Sequence, residues 1–160
     1  MSRKFGGLDL GTRTGWAVLN EDGSRSASGA WNCKPSAGSS PGMRFIIFRR
    51  NLSELLAAYG DISFGYEDVK QRPLSVAAGH TYGGFKAHML EIFDSLDITY
   101  CALGVGEIKS HATGKGQANK GAMCRAASIR WPDLGATANI DDNEADALHT
   151  ASLMLARCLL

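Results

Sequence analysis

Three carboxylates, Asp9, Glu67 and Asp146, stand where charge is ordinarily avoided. Asp9 lies between Leu8 and Leu10 in Gly7-Leu-Asp-Leu-Gly-Thr-Arg-Thr-Gly15. A charge at the end of a half-buried strand is costly unless something compensates it. A divalent cation is one such partner; the plainer role is a turn aspartate, capping the loop with Thr12 and Thr14. Glu67 ends a second apolar run, Ile62-Ser-Phe-Gly-Tyr-Glu-Asp-Val69, where a solvated strand-end acid is the ordinary role. Asp146 belongs to Asp141-Asp-Asn-Glu-Ala-Asp-Ala-Leu148. Acids in a first helical turn favour the dipole, and Asp141 or Asp142 makes a sound N-cap. Asp146, however, runs into Ala147 and Leu148, on a face that must partly meet the core. Asn143 and Asp142, three and four residues earlier, share a helix face with it. Two strand-end carboxylates and a helix-borne one together form a pocket for hard, oxygen-ligated cations such as Mg2+ or Mn2+. Two such ions at one site suit phosphodiester hydrolysis.

The elements that must position these residues follow from periodicity and turn signals. Residues 4–10, 15–20 and 26–32 read as strands of an antiparallel meander, with Glu21-Asp-Gly-Ser24 as a turn. Residues 34–42 form a flexible loop. A helix is expected over 43–59, where Phe45, Phe48, Leu52, Leu55 and Leu56 recur at spacings of three and four and Gly60 stops the run. Residues 61–69 read as a strand, 75–96 as a long helix weakened by Gly79, Gly83 and Gly84, and 98–103 as a strand. A basic helix over 120–130 is stopped by Pro132, and an apolar helix over 142–159 follows. The order βββαβαβαα fits an α/β sheet with helices packed on its faces.

Length and composition narrow the class. The 160 residues suit one domain, with 44% hydrophobic and 21% charged residues, close to the globular average. Net charge is only +1, yet Lys109, Lys115, Lys120, Arg125 and Arg130 face a single acid, Glu107, between residues 105 and 131. A basic face therefore lies beside an acidic pocket. Cys33, Cys101, Cys124 and Cys158 are scattered without a C-x-x-C pair, against a zinc site or a secreted disulfide scaffold. The short apolar start does not suit a signal peptide, and no apolar run nears the roughly 18 residues of a membrane span. A cytoplasmic protein is expected.

Four blocks, in order, resemble the RuvC family of Holliday-junction resolvases within the ribonuclease H-like superfamily. Leu8-Asp-Leu-Gly-Thr-Arg-Thr-Gly-Trp-Ala-Val18 resembles its opening strand-turn-strand, and Tyr66-Glu-Asp-Val69 its strand with a catalytic glutamate. Val105-Gly-Glu-Ile-Lys-Ser-His-Ala-Thr-Gly-Lys-Gly-Gln-Ala-Asn-Lys120 resembles its basic segment, which runs from one lysine through a glycine-rich turn to another. Asn143-Glu-Ala-Asp-Ala-Leu148 resembles its closing helix. The blocks span nearly the whole chain, and Leu10 and the compact ending look more like the phage-borne branch.

The resemblance implies a single ribonuclease H-like nuclease domain over 1–160, with three antiparallel strands followed by parallel ones and helices on both sides. It implies an endonuclease that nicks four-way and other branched DNA in recombination and repair. Two Mg2+ or Mn2+ ions would be held by Asp9, Glu67 and Asp146. The fourth ligand position falls on Asn143, where cellular members have Asp or His, and either Asn143 or Asp142 would fill it. Lys109 and Lys120 match catalytic basic positions near the scissile phosphate. Arg13, Lys70, Lys109, Thr113, Lys115, Lys120 and Arg125 are the expected DNA contacts, with backbone N–H groups of the glycine-rich turn assisting. Lys70 replaces an aromatic that inserts at the junction in other members. His80, His88, His111 and His149 show no metal-ligand spacing. A homodimer is expected through the helix over 75–96, with Ala77, Ala78, Gly79, Gly83 and Gly84 allowing close approach and Tyr82, Phe85, Met89 and Phe93 as anchors. Other readings are a catalytically inactive junction-binding protein, a YqgF-like nuclease, and a phosphate-binding domain of the sugar-kinase or actin-like ATPase type, which shares the Asp-x-Gly-Thr opening.

Overall fold

Alternation along the first strand sorts its side chains onto two faces, and the rest of the chain is arranged around that division. The computed structural model describes residues 2–70 and 75–160. β1 (Lys4–Asp9), β2 (Arg13–Leu19) and β3 (Arg25–Asn32) form the antiparallel meander. After α1 (Met43–Tyr59), β4 (Ile62–Asp68) pairs in parallel with β1. α2 (Val76–Ser95) then leads to β5 (Tyr100–Gly104), parallel to β4. Three helices close the described chain: α3 (Val105–Thr113), α4 (Lys120–Arg130) and α5 (Asp142–Cys158). The strand order is β3-β2-β1-β4-β5, the expected α/β mixed sheet with three antiparallel strands, parallel ones and flanking helices.

One face carries Leu8, Phe64 and Tyr66, buried against Phe48 and Leu52 of α1 and Phe85, Met89 and Phe93 of α2. The opposite face carries Phe5, Ala17, Leu19 and Leu103, covered by α5 with α3 and α4 beside it. Asp9 falls on this second face because it continues the Phe5, Gly7 series. Glu67 continues the series of Ser63 and Gly65 in the same way.

Two boundaries differ from the pattern in the sequence. β5 begins at Tyr100 rather than at residue 98, because Asp97 takes a left-handed conformation (φ 52°) and Ile98 N–H donates to Phe93 C=O at 2.9 Å, closing α2. α3 departs from the expectation, which placed no helix there: its nine residues bury only Ile108, and its apolar stripe of Val105, Ile108 and Ala112 is two turns long. Its local signals are at its ends: the Glu107 carboxylate accepts from Gly104 N–H at 2.9 Å, three residues ahead, and Gly114 closes it in the left-handed conformation (φ 80°). The chain order is therefore βββαβαβααα.

The expected dimer anchors need correction. Phe85, Met89 and Phe93 are fully buried within the chain. Phe85 meets Phe45 and Phe48 edge to face at 5.1 and 5.3 Å, and Phe93 stacks on Phe64 at 4.9 Å. Tyr82 is half-buried and bonded to β4. A Cβ on Gly84 would come within 2.4 Å of the Phe45 ring, so that glycine admits α1 rather than a second subunit. Among these small residues Gly83 faces open space. Phe85→Asp is accordingly expected to remove roughly 3–5 kcal/mol or more of stability and abolish the cooperative thermal transition followed by circular dichroism. Folded monomers of that variant would contradict this packing.

Candidate metal centre

The register of β1 and β4 brings the first two carboxylates together. Leu8 pairs with Tyr66 in the parallel ladder, so Asp9 and Glu67 follow side by side at the strand ends. The turn after β1 is closed by Thr14, whose hydroxyl donates to Gly11 C=O at 2.6 Å, and not by Asp9. The turn-capping role for Asp9 is thus taken by another residue.

Asp146 arrives from the helix that lies on this face. α5 is capped by Asp141, whose carboxylate accepts from Asn143 and Glu144 N–H at 2.9 and 3.3 Å. With the cap supplied there, Asp146 is not needed for it. The helix sits unusually low on the sheet. A Cβ on Gly7 would lie 2.1 Å from Ala147 C=O, and one on Gly15 would lie 1.9 Å from Asn143 C=O. Only glycine permits such contact, and Ala147 and Ala151 complete the fit on the helix side. The result is a cluster in which one ligand atom each from Asp9, Glu67 and Asp146 lies within 4.8 Å of the others.

Electrostatics at this cluster are unfavourable without a counter-ion. Two full charges at 4.8 Å repel by roughly 3 kcal/mol at an effective dielectric near 20. Burial first, then the charges of Glu67 and Asp146, hold the Asp9 carboxyl well above the usual range, and a side-chain hydrogen bond to Glu67 adds to this. Burial, then Glu67 and Asp142, pushes Asp146 up to about 7, against the opposing pull of Lys109 and Lys120. Among the described residues none of the three makes an ion pair with a lysine or arginine. Three converging carboxylates, partly buried and unneutralised by side chains, fit a hard divalent cation such as Mg2+ or Mn2+.

The candidate fourth ligands are separated by their partners. Asp142 is 2.8 Å from the Lys120 ammonium, whereas Asn143 lies with its backbone against Gly15, the residue paired with Asp9. Lys109 lines a small crevice with Glu67, Ile108, Met123 and Asp146. Lys120, exposed and paired with Asp142, stands at the first turn of α4.

Comparison of the sequence with models of protein families and with curated proteins finds no match. Comparison with solved structures finds three that are informative. T. thermophilus RuvC in complex with Holliday junction substrate is 17% identical, with a TM-score of 0.80 over 98% of this chain and 96% of that one. Thermus thermophilus RuvC is 18% identical, with a TM-score of 0.76 over 97% and 96%. The yeast mitochondrial Holliday junction resolvase Ydc2 is 10% identical, with a TM-score of 0.69 over 96% of this chain and 78% of that one. The fold is RuvC-like.

Within that RuvC-like fold the remaining candidate residues are dispersed. Thr113, Lys115 and Arg125 line a surface cleft of about 500 Å³ between the end of α3 and α4, with Gln117, Asn119 and Ile129. The glycine-rich turn offers less to a phosphate than expected: Gly114 N–H donates to Ser110 C=O and Lys115 N–H to the Thr113 hydroxyl. Arg13 is held by Asp141 through two nitrogens at 2.6 and 2.7 Å, buttressing the α5 cap. Lys70 is exposed just beyond β4. His111 is drawn inward to Ser152 at 2.8 Å, and burial lowers its pKa. His149 is buried against Met123 C=O, and burial lowers its pKa to about 4, so it is neutral. No described helix is long and apolar enough to cross a membrane.

The Asp146 shift has a definite sign. The folded, metal-free chain keeps a proton on Asp146 up to about pH 7, while the unfolded chain loses it near the ordinary value of 3.8. Between those values the fold holds the extra proton, so this group costs stability progressively as pH rises through the window. In EDTA, Asp146→Asn should therefore already be more stable than wild type at pH 5, and the gain should grow by on the order of 1–3 kcal/mol between pH 5 and pH 8. A gain in thermal midpoint that does not grow with pH would contradict the assigned repulsion.

Proposed function

We propose that the chain is a metal-dependent endodeoxyribonuclease that nicks four-way and other branched DNA junctions. The observation that carries this reading is the convergence of Asp9, Glu67 and Asp146 at the sheet end of a RuvC-like fold. One of the similar structures is a RuvC bound to a Holliday junction substrate. In this reading residues 1–160 are one nuclease domain acting in recombination and repair, and Asp9, Glu67 and Asp146 hold two Mg2+ or Mn2+ ions. The fourth ligand is Asn143 or Asp142; the latter also pairs with Lys120.

When bound, such ions supply the Lewis acidity that activates water and stabilises the leaving oxygen. The chain's own residues orient the substrate. Lys109, beside Glu67 and Asp146, and Lys120, at the rim, face the scissile phosphate. Lys115, Arg125 and Thr113 hold a neighbouring stretch of backbone, and Lys70 and Arg13 add further phosphate contacts. Contacts of this kind fix register without reading bases, which favours recognition of branched shape.

The test is incubation with four-way junctions, forks and linear duplex, with and without Mg2+ or Mn2+. Metal-dependent nicking of branched DNA is expected. Asp9→Asn, Glu67→Gln and Asp146→Asn should each abolish cleavage while junction binding persists. Junction binding by the wild type without cleavage in either metal would favour the non-catalytic reading, in which Asn143 has cost the site its activity; full activity in any one variant would remove that residue from the site.

Resolving a four-way junction needs two opposed nicks, hence two sites related by a twofold axis. With the aromatic residues of α2 committed to the core, the available surface is its outer stripe of Val76, His80, Gly83 and Ala87, at helical spacing, of which Val76 is 74% exposed. Sedimentation at micromolar concentration should show a dimer for wild type and a folded monomer for Ala87→Glu. A monomeric wild type that still makes paired nicks would contradict this arrangement.

A further inference from the structure

The strand end that carries Glu67 is held from behind. α2 lies on the face of the sheet opposite α5, and from there it engages four successive residues of β4 and its exit. The Tyr82 hydroxyl donates to Glu67 C=O at 3.1 Å and accepts from Val69 N–H at 3.1 Å. One turn later the Lys86 ammonium pairs with the Asp68 carboxylate at 2.9 Å and sits 5.7 Å from the centre of the Tyr66 ring. Burial raises the Tyr82 phenol above its ordinary pKa, so it remains a donor at neutral pH. These bonds restrain the peptide from which the Glu67 side chain projects to the other face. Glu67 is also paired with Leu103 in the ladder to β5, as Asp9 is with Gly15 of β2, and Asp146 lies within a helix; α2 adds its hold where the ladder of β4 ends at Asp68.

We propose that Tyr82 and Lys86 are positioning residues that fix the Glu67 peptide and thereby set the affinity of the site for a divalent cation. The proposal rests on the reading of Asp9, Glu67 and Asp146 as a cation site. A ligand held by well-ordered partners binds more tightly than one whose backbone must be ordered by the ion, and loss of such support typically costs about 10–100-fold in metal affinity.

The decisive experiment is titration of DNA-free protein with Mn2+, with free ion followed by electron paramagnetic resonance, for wild type, Tyr82→Phe, Lys86→Met, Lys86→Arg and Asp146→Asn. Tyr100→Phe is the control, because it removes a hydroxyl that donates to Asp94 at 2.8 Å, outside the described cluster. Tyr82→Phe and Lys86→Met should each weaken Mn2+ by about tenfold. Tyr100→Phe and Lys86→Arg should stay near wild type, and Tyr82→Phe should keep a cooperative thermal transition above the titration temperature, so that its weaker Mn2+ binding is read on folded protein. In cleavage assays the half-saturating metal concentration should rise for Tyr82→Phe, while the rate at saturating metal recovers. Wild-type affinity in both Tyr82→Phe and Lys86→Met, alongside a loss in Asp146→Asn, would overturn the positioning role alone. Equal Mn2+ binding by wild type and Asp146→Asn would overturn the cation site itself, and the positioning role with it.

Discussion

Everything at the candidate site depends on how closely α5 approaches the sheet. The helix backbone meets the strands at Gly7 and Gly15 at distances that leave no room for a Cβ. That contact removes the layer of side chains that ordinarily separates helix from sheet. It lowers Asp146 onto the strand ends and brings it into the same 4.8 Å cluster as Asp9 and Glu67. The small residues are therefore part of the site, although none of them carries a functional group. The Asp141 cap and its Arg13 partner fix the start of the helix. Together these contacts determine its height and its register.

The same contact concentrates negative charge in a place that resists it. Burial and mutual repulsion hold Asp9 and Asp146 toward their protonated forms. The lysines nearby act from a distance: Lys109 from the crevice wall, and Lys120 from the rim, where it neutralises Asp142 instead. The molecule thus separates an acidic centre, suited to cations, from a basic border, suited to a phosphate backbone. A small net charge conceals this division, which is why only the distribution along the chain hints at it.

Much of the site could be read from the residues. Asp9 and Asp146 stood out because acids were placed against apolar neighbours, and Glu67 because it ends a second apolar run; that Asp9 and Glu67 share a face comes from the register of β1 and β4. Gly7, Gly15 and Gly65 were visible in or beside strand segments, where glycine often marks close approach of another backbone. Other features were not legible for identifiable reasons. α3 offers only a two-turn stripe of Val105, Ile108 and Ala112, interrupted by polar residues and with only Ile108 buried, which is too short to announce a helix. The aromatic residues of α2 suit a subunit interface or an internal core equally well, and their burial against α1 is decided by tertiary packing. The glycine-rich turn resembles a phosphate cradle in sequence, yet Ser110 and Thr113 consume two of its N–H groups. Tyr82 is fifteen residues from Glu67, and no local pattern announces a hydroxyl that must cross from helix to strand.

The central claim, that the approach of α5 builds a divalent-cation site, is tested most directly by anomalous diffraction from crystals grown with Mn2+. The account predicts a manganese peak bounded by the carboxylates of Asp9, Glu67 and Asp146, in contact with at least one oxygen of each. Manganese bound elsewhere on the protein, with those three carboxylates in place and no ion between them, would contradict it.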